Sequence, residues 1–256
     1  MPEWHLAEKI QLKFNAYHPQ GMVKIGDRLY ISSVQVLKKT TRIMNWKTGR
    51  DRTAGKGIGH LFEIDTDGDL IREMTLDEGD IYHPGGIDFD GTSIWVPVAE
   101  YRPRGESIIY KVEPKSWQAV EAFRVSDHIG AVVYNRELQT VIGLSWDGGV
   151  FYEWTPDGRL IRKVQNDFDN FAYQDCKYVE GPAMLCGGTA NNAHGGIQLV
   201  DLLDFSTIRG IWSVPRTPNK TIMTRNPLAF EWVGERLLYY FLPEDGFSAL
   251  YVYEVR

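Results

Sequence analysis

The chain has 256 residues, 43% hydrophobic and 12% aromatic, with a formal net charge of −6. That length and apolar fraction suit one large domain with a packed core, and the acidic balance gives no global case for a nucleic-acid partner. No stretch approaches the roughly 20 apolar residues of a membrane span, and the first residues lack the basic and apolar regions of a signal peptide. No membrane association is therefore expected, and a cytoplasmic monomer or small homo-oligomer is. The two cysteines, Cys176 and Cys186, are too few for a disulfide framework and read as small buried hydrophobes in a reducing compartment.

In chain order, a strand over residues 4–12 comes first, followed by a strand pair opening at Gly21 and turning at Gly26-Asp27. Residues 36–57 then interrupt the pattern with Lys38, Lys39, Arg42, Lys47, Arg50, Arg52 and Lys56 against one acid, Asp51. This insertion reads either as a solvated hairpin or as a basic lid that draws an anionic ligand to a channel mouth. Next comes Phe62-Glu63-Ile64-Asp65-Thr66-Asp67-Gly68, which has its clearest copy at Tyr152-Glu153-Trp154-Thr155-Pro156-Asp157-Gly158. Each is an apolar–polar alternation closed by an Asp-Gly turn, the signature of a β-hairpin.

Looser copies start at Tyr110, Leu199 and Tyr251, so successive starts are 48, 42, 47 and 52 residues apart. A period in that range is expected of four-stranded propeller blades. Every copy is preceded by a strand pair, opening at Gly21, Gly86, Gly130, Cys176 and Leu228. The predicted fold is all-β: a single five-bladed β-propeller over residues 1–256 with four-stranded antiparallel blades. The last blade is one strand short, so residues 4–12 should close the ring beside 248–255, with Leu6, Ile10 and Leu12 facing the neighbouring blade. No window carries a capped 3.6-residue apolar period, so almost no helix is expected.

In a propeller the loops entering the innermost strands converge on the axis. Aligning the repeats places His18, His83, Asp127 (or His128, one residue on), Tyr173 and Asn226 at equivalent positions. Three of the six histidines thus fall at one kind of position. The far ends of the same hairpins add Glu100, Trp146, Asn191, Asn192 and Glu244. Imidazoles, carboxylates and amides around an aromatic wall are the parts needed for proton transfer to a small ligand, or for holding a divalent metal. The alternative for His18-Pro19 and His83-Pro84 is that the imidazoles shape a turn.

The runs Gly59-His60-Leu61-Phe62-Glu63-Ile64-Asp65, Tyr82-His83-Pro84-Gly85-Gly86-Ile87-Asp88 and Trp95-Val96-Pro97-Val98-Ala99-Glu100-Tyr101 resemble a bacterial and fungal family catalogued as a domain of unknown function. The likeness continues through Asp127-His128-Ile129-Gly130 and Ser145-Trp146. It implies the propeller fold and no particular reaction. More distantly the arrangement is similar to regucalcin-like lactonases, which hold an axial divalent cation with a Glu, two Asn and an Asp, and to five-bladed glutaminyl cyclases. Where the lactonase pattern has carboxylate, this chain has histidine.

The expected function is a small-molecule enzyme at the axial mouth, an acid–base or metal-assisted lyase, isomerase, cyclase or hydrolase without an organic cofactor. His18, His83 and His128 would act as acid, base or ligands of a divalent metal, and Asp127 and Asp175 would orient the imidazoles. Asn226, Tyr173 and Glu100 would contact a small ligand in the central channel, with Trp146 as an apolar wall. The alternative is a ligand-binding or protein-interaction propeller without turnover.

Overall fold

Alternating apolar and polar residues, punctuated by Asp-Gly and related turns, fold here into antiparallel sheets set around one axis. The computed structural model describes residues 2–45, 50–166, 171–191 and 193–256. The chain opens with β1 (Trp4–Gln11). Blade one follows as β2 (His18–Ile25) and β3 (Arg28–Lys38), then a two-stranded arm, β4 (Arg42–Asn45) with β5 (Arg50–Arg52), then β6 (Lys56–Ile64) and β7 (Leu70–Thr75). In blade two, β8 (Ile81–Pro84) and β9 (Asp88–Phe89) share the innermost position against β10 (Ile94–Glu100), followed by β11 (Ser107–Glu113) and β12 (Gln118–Val125).

Blade three comprises β13 (Ile129–Asn135), β14 (Thr140–Ser145), β15 (Val150–Trp154) and β16 (Leu160–Gln165). Blade four comprises β17 (Phe171–Val179), β18 (Ala183–Ala190), β19 (His194–Asp201) and β20 (Thr207–Ile211). Blade five has β21 (Leu228–Val233), β22 (Arg236–Phe241) and β23 (Ala249–Val255), with β1 as its outer strand. Among the described residues, helix is confined to two short 3₁₀ turns, Trp146–Gly148 and Met223–Arg225. None is long and apolar enough to cross a membrane.

Strand alternation sends successive side chains to opposite blade faces, so the core is five inter-blade layers. On β6, Leu61 packs toward blade two while Phe62 packs toward blade five. Trp95, fully buried between blades two and three, joins Phe123, Tyr152 and Trp154. Truncating such a core aromatic typically costs about 3–5 kcal/mol. The repeated Glu of the hairpin motif links neighbouring blades. Glu63 accepts from Arg72, which also donates to the Pro114 carbonyl of blade two. Glu153 accepts from Arg162 at 2.5 Å, and Arg162 also donates to the Leu202 and Leu203 carbonyls of blade four.

The ring closes as the sequence predicts, with Trp4 opposite Val255 and Gln11 opposite Ala249. One detail differs: Leu6 is exposed rather than buried against the neighbouring blade. A register shift between Leu6 and Glu8 reverses the alternation, so Leu6 pairs with Tyr253 while Ile10 pairs with Leu250 on the opposite face. The cysteines also need correction. Cys176 on β17 and Cys186 on β18 are register partners and form a disulfide, Cα atoms 4.1 Å apart. They pack in the core between blades three and four as a bonded pair, not as two free thiols. Ten residues of separation give little hint of this, because the hairpin register creates the contact.

The inner strands meet backbone to backbone on the axis. A Cβ on Gly85 would lie 2.1 Å from the Gly130 carbonyl oxygen, and one on Gly21 would lie 2.8 Å from the Gly86 Cα. Gly86 donates to the Gly130 carbonyl (2.8 Å) and accepts from the Val132 N–H (3.1 Å). Only glycine permits such approach. It also splits the inner strand of blade two into β8 and β9. The expected central channel is therefore closed at this level.

Candidate active site at the axial mouth

Above the glycine contacts lies a cavity of about 150 Å³ whose lining includes His18, His83, Tyr101, His128, Trp146 and Tyr173. The starts of the inner strands bring three imidazoles to it, as the repeat alignment predicts, with His18 on β2, His83 on β8 and His128 just before β13. Blade three presents His128 rather than Asp127. Asp127 instead accepts from the Tyr152 hydroxyl (2.7 Å) and the His128 N–H (2.9 Å).

The three imidazoles are held differently. His18 Nδ1 lies 2.8 Å from Asp245 Oδ1, which fixes Nδ1 as donor and leaves the Nε2 lone pair free in the neutral ring. His128 Nδ1 donates to the Glu100 carbonyl oxygen at 2.7 Å, and its ring meets Trp146 edge-on at 4.7 Å. His83 stacks on Tyr101 at 4.1 Å, and neither ring nitrogen has a partner beyond the residue's own backbone. It is 5% exposed, so both ring nitrogens are buried with no hydrogen-bond partner from another of the described residues.

Burial, reinforced by the charges of His128 and His18, pushes the His83 pKa well below the ordinary imidazole range. Burial also lowers His128 to about 4, against the raising effect of the Glu100 carbonyl. Both rings are neutral at neutral pH. For Asp245, burial raises the carboxyl, but the His18 hydrogen bond and charge together with Arg225 outweigh it, and the group lies below its usual range.

Two further hollows share lining residues with this cavity. One of about 740 Å³ shares His18 and Tyr101 with it and adds Lys39, Arg225 and Asp245. Another of about 260 Å³ is lined by His18, Gln174, Thr189, Ile222, Arg225 and Asn226. Asn226 is buried; its amide donates to the Pro243 carbonyl (3.2 Å) and Asp245 (3.3 Å), while Oδ1 has no partner among the described residues. His18 and Asn226 thus share Asp245.

Other expected site residues serve elsewhere. Asp175 orients no imidazole. It is fully buried beneath the glycine contacts, where Oδ2 accepts the N–H groups of Met22 (3.0 Å) and Leu228 (3.2 Å). Oδ1 accepts the Ile87 N–H (3.2 Å) and the Lys177 ammonium. One carboxylate on blade four so ties blades one, two and five. Burial raises its pKa to about 7 against the pull of Lys177 and these N–H groups.

Glu100 gives the site its carbonyl, while its carboxylate is clamped by Arg102 (2.6 and 2.9 Å) and lies 3.6 Å from Arg50. Tyr173 lines the cavity with its ring and turns its hydroxyl toward Gln198. Glu244 accepts from Asn219 (3.2 Å), Asn191 sits in a turn with φ 50°, and Asn192 lies outside the described residues.

The basic insertion reaches the site through its root. Arg52 stacks over Trp146 at 4.8 Å, and the Tyr82 hydroxyl donates to the Ala54 carbonyl at 2.5 Å. Lys47 lies outside the described residues. Tyr101, Asp245 and Gln174 were not singled out from sequence. Asp245 adjoins Glu244 at a hairpin end, and that position is the signal that could have found it.

The lining does not match the Glu, Asn, Asn and Asp set of an axial-cation lactonase. Among the described residues no three His, Cys, Asp or Glu side chains group to hold a metal ion. The cavity's lining has three imidazoles and one carboxylate, Asp147, which burial raises against the opposing effects of Trp146 and Arg52.

Fold and site together define a five-bladed β-propeller whose axis is closed below and open, through an imidazole-lined cavity, above. The chain belongs to DUF6454, a family of unknown function, whose model matches residues 2–256. No curated protein matches it by sequence.

Among solved structures, a luciferin-regenerating enzyme is similar with a TM-score of 0.55 and 8% identity, covering 100% of this chain and 95% of that one. The gluconolactonase XC5397 of Xanthomonas campestris has a TM-score of 0.53 and 12% identity, covering 100% and 94%. The tail fiber of Staphylococcus aureus phage P68 has the same score and identity, covering 99% of this chain and 52% of that one. At such identities the likeness shows the fold alone, and it extends to enzymes and to a structural fibre alike.

Proposed function

We propose that the protein is a small-molecule enzyme that moves protons at the axial mouth by acid–base chemistry, in the manner of an isomerase, lyase or hydrolase. The observation that carries this reading is His83, a buried neutral imidazole with both nitrogens left for a ligand beside two other imidazoles. His18, oriented by Asp245, offers its Nε2 lone pair as general base. His83, neutral, hydrogen-bonds and orients the ligand against the aromatic wall, His18 returns the proton it has taken up, and His128, fixed by the Glu100 carbonyl, accepts a hydrogen bond from the ligand. A positioned acid or base typically contributes about 10²–10⁴ in rate. The distant likeness to a gluconolactonase and a luciferin-regenerating enzyme is consistent with this and names no substrate.

The test is a panel of small lactones, enolisable ketones and hydroxy acids in D₂O, followed by NMR for turnover or carbon-bound proton exchange. His83→Gln and His18→Gln should each lower the rate by about 10²–10⁴ with little change in melting temperature. Full activity in both variants would sink the proposal. Binding without turnover or exchange would favour a ligand sensor, and loss of activity on dialysis against a chelator would favour the metal-assisted version.

A further inference from the structure

The axial cavity and the 740 Å³ hollow share His18 and Tyr101 and so adjoin at those two side chains. Their chemistries are unlike. The axial part is walled by flat rings: His83 on Tyr101 at 4.1 Å, and Tyr101 facing Trp146 at 5.8 Å. About 150 Å³ is on the order of the space that holds one benzene-sized ring. The unpartnered nitrogens of His83 and the shielded neutral imidazole of His128 ask for a head group carrying its own donor and acceptor.

The outer hollow is cationic. Lys39 and Arg225 line it against one acid, Asp245, which is already engaged by His18 and Asn226. Alongside runs the basic arm, where Lys38, Arg42, Arg50, Arg52 and Lys56 stand against Asp51 in a chain whose net charge is −6. A cationic island in an acidic protein concentrates small anions at its surface.

Resting on the axial site described above, we infer that the ligand is a small organic acid. Its flat, hydrogen-bonding head lies against His83, Tyr101 and Trp146, and its carboxylate lies in the outer hollow between Lys39 and Arg225. A guanidinium and an ammonium on either side of one carboxylate would fix its orientation and set how deep the head sits.

The test uses 4-hydroxybenzoate, 4-hydroxyphenylacetate and 3-(4-hydroxyphenyl)propanoate with their neutral carboxamides, titrated calorimetrically into the full-length protein. At least one acid should bind about tenfold or more tightly than its amide, with the preference falling as salt rises. Lys39→Gln and Arg225→Gln should each remove most of the preference while leaving amide affinity unchanged. Lys39→Gln is the cleaner variant, because Arg225 also lies 3.6 Å from Asp245.

The inference fails if no acid is preferred over its amide, if none of the six compounds binds, or if both variants keep the preference. Amide-level binding that His83→Phe abolishes, without any acid preference, would overturn the organic acid and leave the axial site standing. An intact acid preference beside unaltered proton exchange in His83→Gln would uphold the organic acid and overturn the acid–base reading.

Discussion

Two polar groups on the axis, His83 at the mouth and Asp175 at the floor, are both shut away from solvent and are treated in opposite ways. Every oxygen of Asp175 is occupied: it receives three backbone N–H groups from three blades and the Lys177 ammonium. Neither nitrogen of His83 is satisfied by another of the described residues. A buried polar group without a partner costs on the order of 1–3 kcal/mol. The protein keeps that cost at the mouth and avoids it at the floor. Burial alone therefore does not mark a site, but burial without partners inside a cavity does.

The comparison breaks most sharply at the floor. Asp175→Leu should leave three N–H groups unpaired and the Lys177 ammonium with only the Ile87 and Cys176 carbonyls and no counter-charge, lowering stability by about 3–5 kcal/mol, a large share of an ordinary domain's total. Denaturant titration reads it, and a midpoint near wild type would show that the floor is no tie between blades.

A smaller effect comes from acid. His128 is held neutral with its pKa lowered to about 4. The unfolded chain, with an imidazole near 6.5, therefore takes up a proton first as pH falls. The contribution of the neutral ring is full above about 6.5 and is lost progressively toward 4, amounting to about 3 kcal/mol. His83 titrates in the same sense. His128→Phe should flatten this part of the stability–pH curve, and an unchanged slope would deny that the mouth holds its imidazoles neutral.

His83→Phe should hold stability or raise it, by up to about 1–3 kcal/mol, since two buried nitrogens without a partner among the described residues are removed and the stack on Tyr101 is kept. A drop comparable to that of Asp175→Leu would make His83 a structural group. The smallest expected effect is Arg52→Ala, about 0.5–1 kcal/mol from the loss of its stack on Trp146, read as a shift of a few degrees at most.

The blades were legible in the sequence because Phe62-Glu63-Ile64 and Tyr152-Glu153-Trp154 encode alternation, turn and inter-blade Glu together. The ring of His18, His83 and His128 was legible for the same reason, since repeat position maps to axial position. What orients those rings was not. Asp245 reaches His18 across 227 residues of sequence, and His128 is fixed by a main-chain carbonyl that no residue type announces. Asp175 was misread because a carboxylate next to an inner strand looks the same in sequence whether it points up to a ligand or down to backbone N–H groups. The Leu6 misassignment came from one extra residue in a strand, which shifts register without altering composition.

The approach of Gly21, Gly85, Gly86 and Gly130 on the axis has a kinetic consequence. Main chain packs across the axis there, so among the described residues a molecule in the cavity does not pass through these contacts to the opposite face. On the enzyme reading proposed above, product would then leave on the side by which substrate enters. Substitutions on the mouth side, rather than at these glycines, are then the ones expected to alter how a ligand exchanges between cavity and solvent.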